Sequence, residues 1–187
     1  MLSRKSAHAV LILLSLALTT AGHGNAAAQE HKHPQMNHAA LTATPSSIEA
    51  EHKELHEKLA TVIRSKGKTG AAGKEVESLL QPHFEKEEQF ALPPLGLLSS
   101  LAAGTLPPNA DAIIKMTDRL KAEMPQMLAE HKKIVEALQR LRKAAQEEHK
   151  KEAVQFADRL SAHAVQEEEI LYPGAVLVGE YLKLRTK

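Results

Sequence analysis

The sequence predicts an all-α protein, and three features of the 187-residue chain support this fold class. It is rich in Ala, Leu, Glu, Lys and Gln, which favour helices, and poor in the aromatic and β-branched residues that favour strands. Apolar residues recur at spacings of three and four, as on one face of a helix. The pattern of the first half also recurs in the second half. Together these features predict an up-down-up-down four-helix bundle with a pseudo-twofold internal repeat.

The composition excludes several classes of protein. The chain has no cysteine, which excludes a disulfide-stapled fold and any metal centre held by thiolates. Its formal net charge is +1, so no basic excess indicates binding to nucleic acid. Histidine is abundant, with 11 residues, and these provide many neutral metal ligands.

The first 28 residues have the layout of a secretory signal peptide. Arg4 and Lys5 would form its positive region, Ala9 to Leu18 its apolar stretch, and Ala26 to Ala28 its cleavage site. The apolar stretch is shorter than the roughly 20 residues that span a bilayer. We therefore expect a periplasmic or secreted protein that has no membrane segment after cleavage. An uncleaved amphipathic anchor is the alternative.

Residues 29–46 read as a polar linker that contains histidine. His31, His33 and His38, with Met36, could bind copper or zinc loosely. A solvated tail is the preferred interpretation.

Four stretches with apolar residues at helical spacing follow the linker, and we call the apolar face of each predicted helix a seam. The first helix is expected to begin with a capping box formed by Ser46 and Glu49. We expect the third and fourth helices to separate near Gln146 and the fourth to end at Tyr172-Pro173-Gly174. Residues 174–187 are a C-terminal tail that could contain a short helix. The seams are Ile48, His52, Leu55, Leu59 and Val62; Val76, Leu79, His83, Glu87 and Phe90; Ile113, Met116, Leu120, Met124, Met127, His131, Ile134, Leu138 and Leu141; and Ala153, Phe156, Leu160, His163, Glu167 and Ile170.

Each seam contains one histidine, and two seams contain a glutamate one turn later. A single seam histidine is more often a core residue than a ligand, but an unpaired carboxylate costs several kcal/mol to bury. Four histidines and two glutamates in one bundle therefore need a common partner. A metal ion provides one, since imidazole and carboxylate together suit iron, manganese or zinc.

The histidine and glutamate pattern occurs twice, at an offset of 79 or 80 positions. Glu51-His52-Lys53-Glu54-Leu55 matches Glu130-His131-Lys132-Lys133-Ile134, and His83-x-x-x-Glu87 matches His163-x-x-x-Glu167. Each of the latter motifs is followed by a proline ten residues after the histidine. Two equivalent sets of side chains indicate a centre with two metal ions.

At these residues the sequence resembles the hemerythrin-like proteins, also called HHE cation-binding domains. The resemblance covers residues 47–173 and depends on the order His, His-x-x-x-Glu, His, His-x-x-x-Glu. It implies a bundle around two non-haem iron ions, bridged by carboxylates and by an oxo or hydroxo group. The ligands it implies are His52, His83, Glu87, His131, His163 and Glu167.

One departure from the family pattern affects the expected role. Oxygen-carrying hemerythrins have a second histidine one turn from the third-helix ligand, and here Met127 and Val135 occupy those positions. This weakens reversible oxygen carriage as the function. His56 is a candidate further ligand, although a surface position is preferred. Glu88 and Glu168 are expected to support the ligands or to face solvent.

The resemblance implies a non-enzymatic di-iron protein of the cell envelope that binds or senses O₂, NO or peroxide, or holds iron. Its expected partner is therefore a small diatomic ligand or peroxide; the sequence indicates no nucleic acid and no protein partner. Two alternatives stay open: an oxidoreductase that consumes peroxide or NO at the same site, and a structural bundle that binds zinc.

Export gives the first testable prediction. Protein recovered from the periplasm should begin near Gln29, as measured by mass spectrometry of the intact chain, because the cleavage site precedes that residue. A membrane-bound product that retains Met1 would contradict the prediction.

Overall fold

A computed structural model describes residues 43–187, and its regular structure is helical, with no strand in that range. The predicted signal peptide and residues 29–42 of the predicted linker lie outside the described residues. The described part contains six α-helices: α1 (Ser46–Ile63), α2 (Lys68–Lys86), α3 (Leu98–Ala102), α4 (Ala110–Glu147), α5 (Lys151–Gln166) and α6 (Tyr172–Arg185). No helix within residues 43–187 combines the length and the apolar character needed to cross a bilayer.

Four long helices form the predicted bundle. Helix α1 packs against α2 and α5, and α4 packs against the same two helices. Short turns join α1 to α2 and α4 to α5, so each pair is an antiparallel hairpin. These two hairpins correspond to the two copies of the sequence repeat. The all-α, four-helix prediction is confirmed.

The start of α1 differs from the predicted capping box. Ser46 is the first helical residue, and its side chain makes no capping hydrogen bond. Pro45 is the N-cap instead, and its carbonyl accepts hydrogen bonds from the amides of Ile48 and Glu49. The proline ring favours the extended conformation that an N-cap requires, and Pro45 has φ −52° and ψ 133°.

The fourth seam does not end at Tyr172-Pro173-Gly174. Helix α5 ends at Gln166, a π-helical turn covers Glu167–Leu171, and α6 begins directly at Tyr172. Proline is tolerated in the first turn of α6 because the amide it lacks would have no intrahelical partner there. Val178 and Leu182 are buried in an apolar cluster, so α6 contributes to the core.

Helix α6 lies close to α4 at one glycine. A Cβ atom on Gly179 would lie 1.8 Å from Oγ1 of Thr117 on α4, which is too close for any side chain. Glycine therefore permits the close approach that sets the position of α6.

The core consists of apolar clusters on either side of a layer of buried histidine and glutamate side chains, which we call the polar layer. Along α4, Met127 belongs to one cluster, Ile134 belongs to another, and His131 lies between them. Along α2 and the π-helical turn that follows it (Glu87–Ala91), Phe84 belongs to the cluster of Ile134, whereas Phe90 belongs to that of Met127. The polar layer is therefore enclosed by apolar side chains along the bundle axis.

The turn between α4 and α5 caps the N-terminus of α2. The carboxylate of Glu148 accepts hydrogen bonds from the amides of Lys68 (2.7 Å) and Thr69 (3.1 Å) and from the Thr69 hydroxyl (2.6 Å). Amides in the first turn of a helix have no intrahelical acceptor, and the helix dipole favours a negative charge there. Gly67 leaves room for this contact, because a Cβ atom there would lie 2.2 Å from Glu148 Oε1.

Glu148→Gln should lower Tm by a few degrees at neutral pH, because the charge at the N-terminus of α2 is lost. Hydrogen bonds from Lys150 and Thr69 hold the pKa of Glu148 at about 2, below its ordinary value. The stabilisation by the wild-type carboxylate is therefore complete above the unfolded-state pKa of about 4.3 and is lost as the pH falls to about 2. Thermal melts at several pH values measure this difference.

The matched control is Glu147→Gln, since the Glu147 carboxylate pairs with the exposed ammonium of Lys68 at 3.0 Å. An exposed pair of this kind contributes little to stability. Equal effects of the two substitutions would contradict the capping role of Glu148.

Candidate metal centre

Six buried side chains converge in the polar layer, and they are the six that the sequence analysis names as ligands. They come from all four helices of the bundle, and each is at most 4% exposed. The set is His52 on α1, His83 and Glu87 on α2 and its π-helical turn, His131 on α4, and His163 and Glu167 on α5 and its π-helical turn.

The donor atoms form two groups that have Glu167 in common. His83, Glu87, His131 and Glu167 offer ligand atoms that all lie within 4.8 Å of one another, and we call this group the first position. His52, His163 and Glu167 meet the same criterion and form the second position. Each position draws its histidines from both hairpins.

Several buried polar atoms at and beside the second position make no well-aligned hydrogen bond. Oε1 of Glu167 lies 2.8 Å from Nε2 of His163 and 3.5 Å from Nε2 of His52. Oε2 of Glu87 lies 3.9 Å from Nε2 of His52. These contacts lack hydrogen-bond geometry, and the four atoms make no other hydrogen bond within residues 43–187. Because leaving buried polar groups unsatisfied is costly, this donor set fits a cation.

The first position contains a seventh polar group, the hydroxyl of Tyr172. This hydroxyl lies 3.3 Å from Nε2 of both His83 and His131 and donates a hydrogen bond to Oε1 of Glu87. Nε2 of His131 also lies 3.4 Å from Oε2 of Glu167. Burial, with the nearby carboxylates of Glu87 and Glu167, raises the pKa of Tyr172 well above its ordinary value.

The sequence analysis missed Tyr172 because it assumed α-helical spacing throughout the fourth seam. In the π-helical turn the amide of Tyr172 donates to the carbonyl of Glu167, five residues earlier. This hydrogen bond brings residue 172, rather than residue 170, towards the face of Glu167. Ile170 is 62% exposed, so its predicted place on the seam is wrong. The π-helical turn at Glu87–Ala91 is equivalent, and the amide of Leu92 donates to the carbonyl of Glu87.

Each histidine also faces a carboxylate on the side away from the centre. The Nδ1 atoms of His83 and His131 lie 3.0 Å and 2.9 Å from a carboxylate oxygen, and those of His163 and His52 lie 3.5 Å and 3.9 Å away. The two shorter contacts are hydrogen bonds, and they orient the imidazoles of His83 and His131 so that Nε2 points inwards. The acceptors are, in the same order, Glu130, Glu168, Glu51 and Glu88.

These outer carboxylates follow the internal repeat, since each is the sequence neighbour of a residue in the centre. The sequence predicts that Glu88 and Glu168 support the ligands or face solvent, and the structure adds Glu51 and Glu130 to the carboxylates that face a central histidine. The signal for the added pair is the Glu-His dipeptide that begins both copies of the first motif. Burial acts to raise the pKa of Glu130, but contacts with His83 and Lys86 outweigh it and hold that pKa at about 2.

The two central carboxylates differ in their electrostatic surroundings. Burial, with the nearby charge of Glu167, raises the pKa of Glu87. Burial also acts to raise the pKa of Glu167, but contacts with three histidines outweigh it and hold that pKa well below its ordinary value. A cation between the carboxylates would favour the ionised form of both.

The other residues considered in the sequence analysis lie outside the two positions. His56 is exposed and packs edge-on against Phe84, with ring centroids 4.9 Å apart. Met127 is a core residue, and Val135 is half-buried on α4. His149 is exposed in the turn between α4 and α5, with φ 56°.

A surface cleft borders His52, one of the two histidines of the second position. Its volume is about 820 Å³, and its walls include His52, His56, Glu88 and Leu92. A molecule in this cleft therefore contacts one histidine of the second position.

Comparison with known proteins agrees with this geometry. The family model described as the hemerythrin HHE cation-binding domain matches residues 47–175, which is most of the chain. No curated protein and no solved structure gives a match. The matched range contains all six of the converging histidines and glutamates. The chain therefore belongs to the hemerythrin HHE cation-binding domain family, and its buried cluster of histidine and glutamate fits a metal site.

Proposed function

We propose that this protein holds two iron ions. At these ions it binds or senses O₂, NO or peroxide, or else its role is to store the iron itself. The observation that carries the proposal is the burial of two carboxylates among four imidazoles, with inward-facing atoms that make no well-aligned hydrogen bond within residues 43–187. We propose a periplasmic or secreted location from the predicted signal peptide.

The carboxylate geometry supports two ions rather than one. Oε1 of Glu167 faces His163 at 2.8 Å, and Oε2 faces His131 at 3.4 Å. Oε1 of Glu87 faces His83 at 3.3 Å, and Oε2 faces His52 at 3.9 Å. Glu167 thus presents one oxygen to each position, as a bridging ligand would, and the second oxygen of Glu87 faces His52 of the second position.

The choice of iron rests on the donor types and on the family. Mixed imidazole and carboxylate donors suit iron, although they also bind zinc and manganese. Membership of the hemerythrin family favours iron among these metals. When bound, ferrous or ferric iron would supply the ability to take up a diatomic molecule or to exchange electrons with it.

An oxidoreductase that consumes peroxide or NO is the second candidate, and the cleft beside His52 would hold a small substrate next to that histidine. Consumption over many turnovers by the iron-loaded protein would establish this activity, whereas stoichiometric binding without consumption would support a sensor or carrier. A colourless protein with bound zinc would indicate the structural alternative.

Substitution of either central carboxylate should reduce the bound iron. Glu87→Gln and Glu167→Gln keep the side-chain volume but remove a charge that would balance the metal ions. We expect iron well below two per chain in each variant, with weaker near-ultraviolet charge-transfer absorption, measured by metal analysis and absorption spectroscopy.

Two controls accompany these variants. Glu75→Gln changes an exposed carboxylate that pairs with Arg140 at 2.6 Å, and His149→Ala removes an exposed imidazole. Both should keep the iron content of the wild type. If the centre were only a polar core, Glu87→Gln would be neutral or stabilising. Full iron occupancy in both central variants would refute the assigned ligands.

Removal of the metal should destabilise the protein, because a ligand that binds only the folded state raises its stability. A free metal concentration of 100 times the dissociation constant raises the free energy of unfolding by about 2.7 kcal/mol. For a chain of this size, its loss would lower Tm by roughly 5–10 °C on complete chelation. Calorimetry before and after chelation, with metal added back, measures the effect, and an unchanged Tm would argue against a metal that holds the helices together.

A further inference from the structure

The two metal positions have equivalent histidines but differ at one repeat-related residue. Tyr172 and Leu92 are 80 positions apart, and each directly precedes a proline, Pro173 or Pro93. Both residues are fully buried, and each directly follows an equivalent π-helical turn. The repeat therefore places a hydroxyl at one position and a purely apolar side chain at the other.

The Tyr172 hydroxyl lies where a ligand of the first position would lie. Two ligands about 2.1 Å from one metal ion and at right angles to each other are about 3 Å apart. The hydroxyl is 3.3 Å from Nε2 of both His83 and His131. Its ring also stacks on that of His131, with centroids 5.6 Å apart and planes at 18°, which orients the hydroxyl towards the centre.

The second position has no such group among residues 43–187. Its equivalent residue, Leu92, carries no donor atom, and the inward-facing atoms of His52 and His163 make no well-aligned hydrogen bond within that range. The hydroxyl of Tyr172 therefore distinguishes the first position from the second.

We propose that Tyr172 is a further ligand of the metal at the first position. The inference rests on the proposed function, since it requires a metal pair. Ligation of Tyr172 releases the hydroxyl proton, as metal binding does for other protonated ligands. The centre is thus unsymmetrical because of one residue.

Removal of the hydroxyl tests the proposal. The iron-loaded full chain is compared with Tyr172→Phe and with the control Tyr181→Phe, which changes the only other tyrosine of the chain. The wild type and the control should show visible phenolate-to-ferric absorption and bind the same number of azide ions per chain. Tyr172→Phe should remain folded, lose the visible band, and bind one more azide per chain than the wild type or lose the iron of the first position. An unchanged spectrum and azide stoichiometry in Tyr172→Phe overturn the role of Tyr172.

The failure of this inference is distinct from the failure of the proposed function. A wild-type protein that takes up no iron overturns the proposed function. A wild-type protein with two irons, whose visible spectrum and azide stoichiometry do not change in Tyr172→Phe, overturns only the role of Tyr172.

Discussion

Two carboxylates buried in the middle of a helical bundle are the constraint on which this structure depends. Glu87 and Glu167 are 0% and 1% exposed, and a buried ionised group costs several kcal/mol unless it is paired. The four central histidines face these carboxylates, and the apolar clusters above and below exclude solvent from them. A cation makes this arrangement favourable, whereas apolar packing alone does not.

The π-helical turns determine which side chains reach the carboxylates. A seam with uniform α-helical spacing would bring Ile170 inwards and direct Tyr172 elsewhere. The hydrogen bond from the amide of Tyr172 to the carbonyl of Glu167, five residues earlier, instead turns the Tyr172 side chain towards the carboxylates. Gly179 has a complementary role, because it permits the close contact between α6 and α4.

The sequence predicts the fold and the six converging residues because both depend on regular helical spacing. His83 and Glu87 lie four residues apart on one helix face, and this geometry survives in the structure. Features that depend on irregular backbone or on tertiary contact were not predictable in this way. They include the inward position of Tyr172 after a π-helical turn and the capping of α2 by Glu148 from another turn.

Each of the two groups of converging side chains takes one histidine from each hairpin, so neither hairpin alone could complete either group. Two identical hairpins related by an exact twofold axis could form the same pair of positions, but every residue at one would then occur at the other. Covalent linkage of the two hairpins removes this obligation. A single chain can therefore keep tyrosine at residue 172 and leucine at residue 92, which no homodimer of identical hairpins with exact symmetry could do.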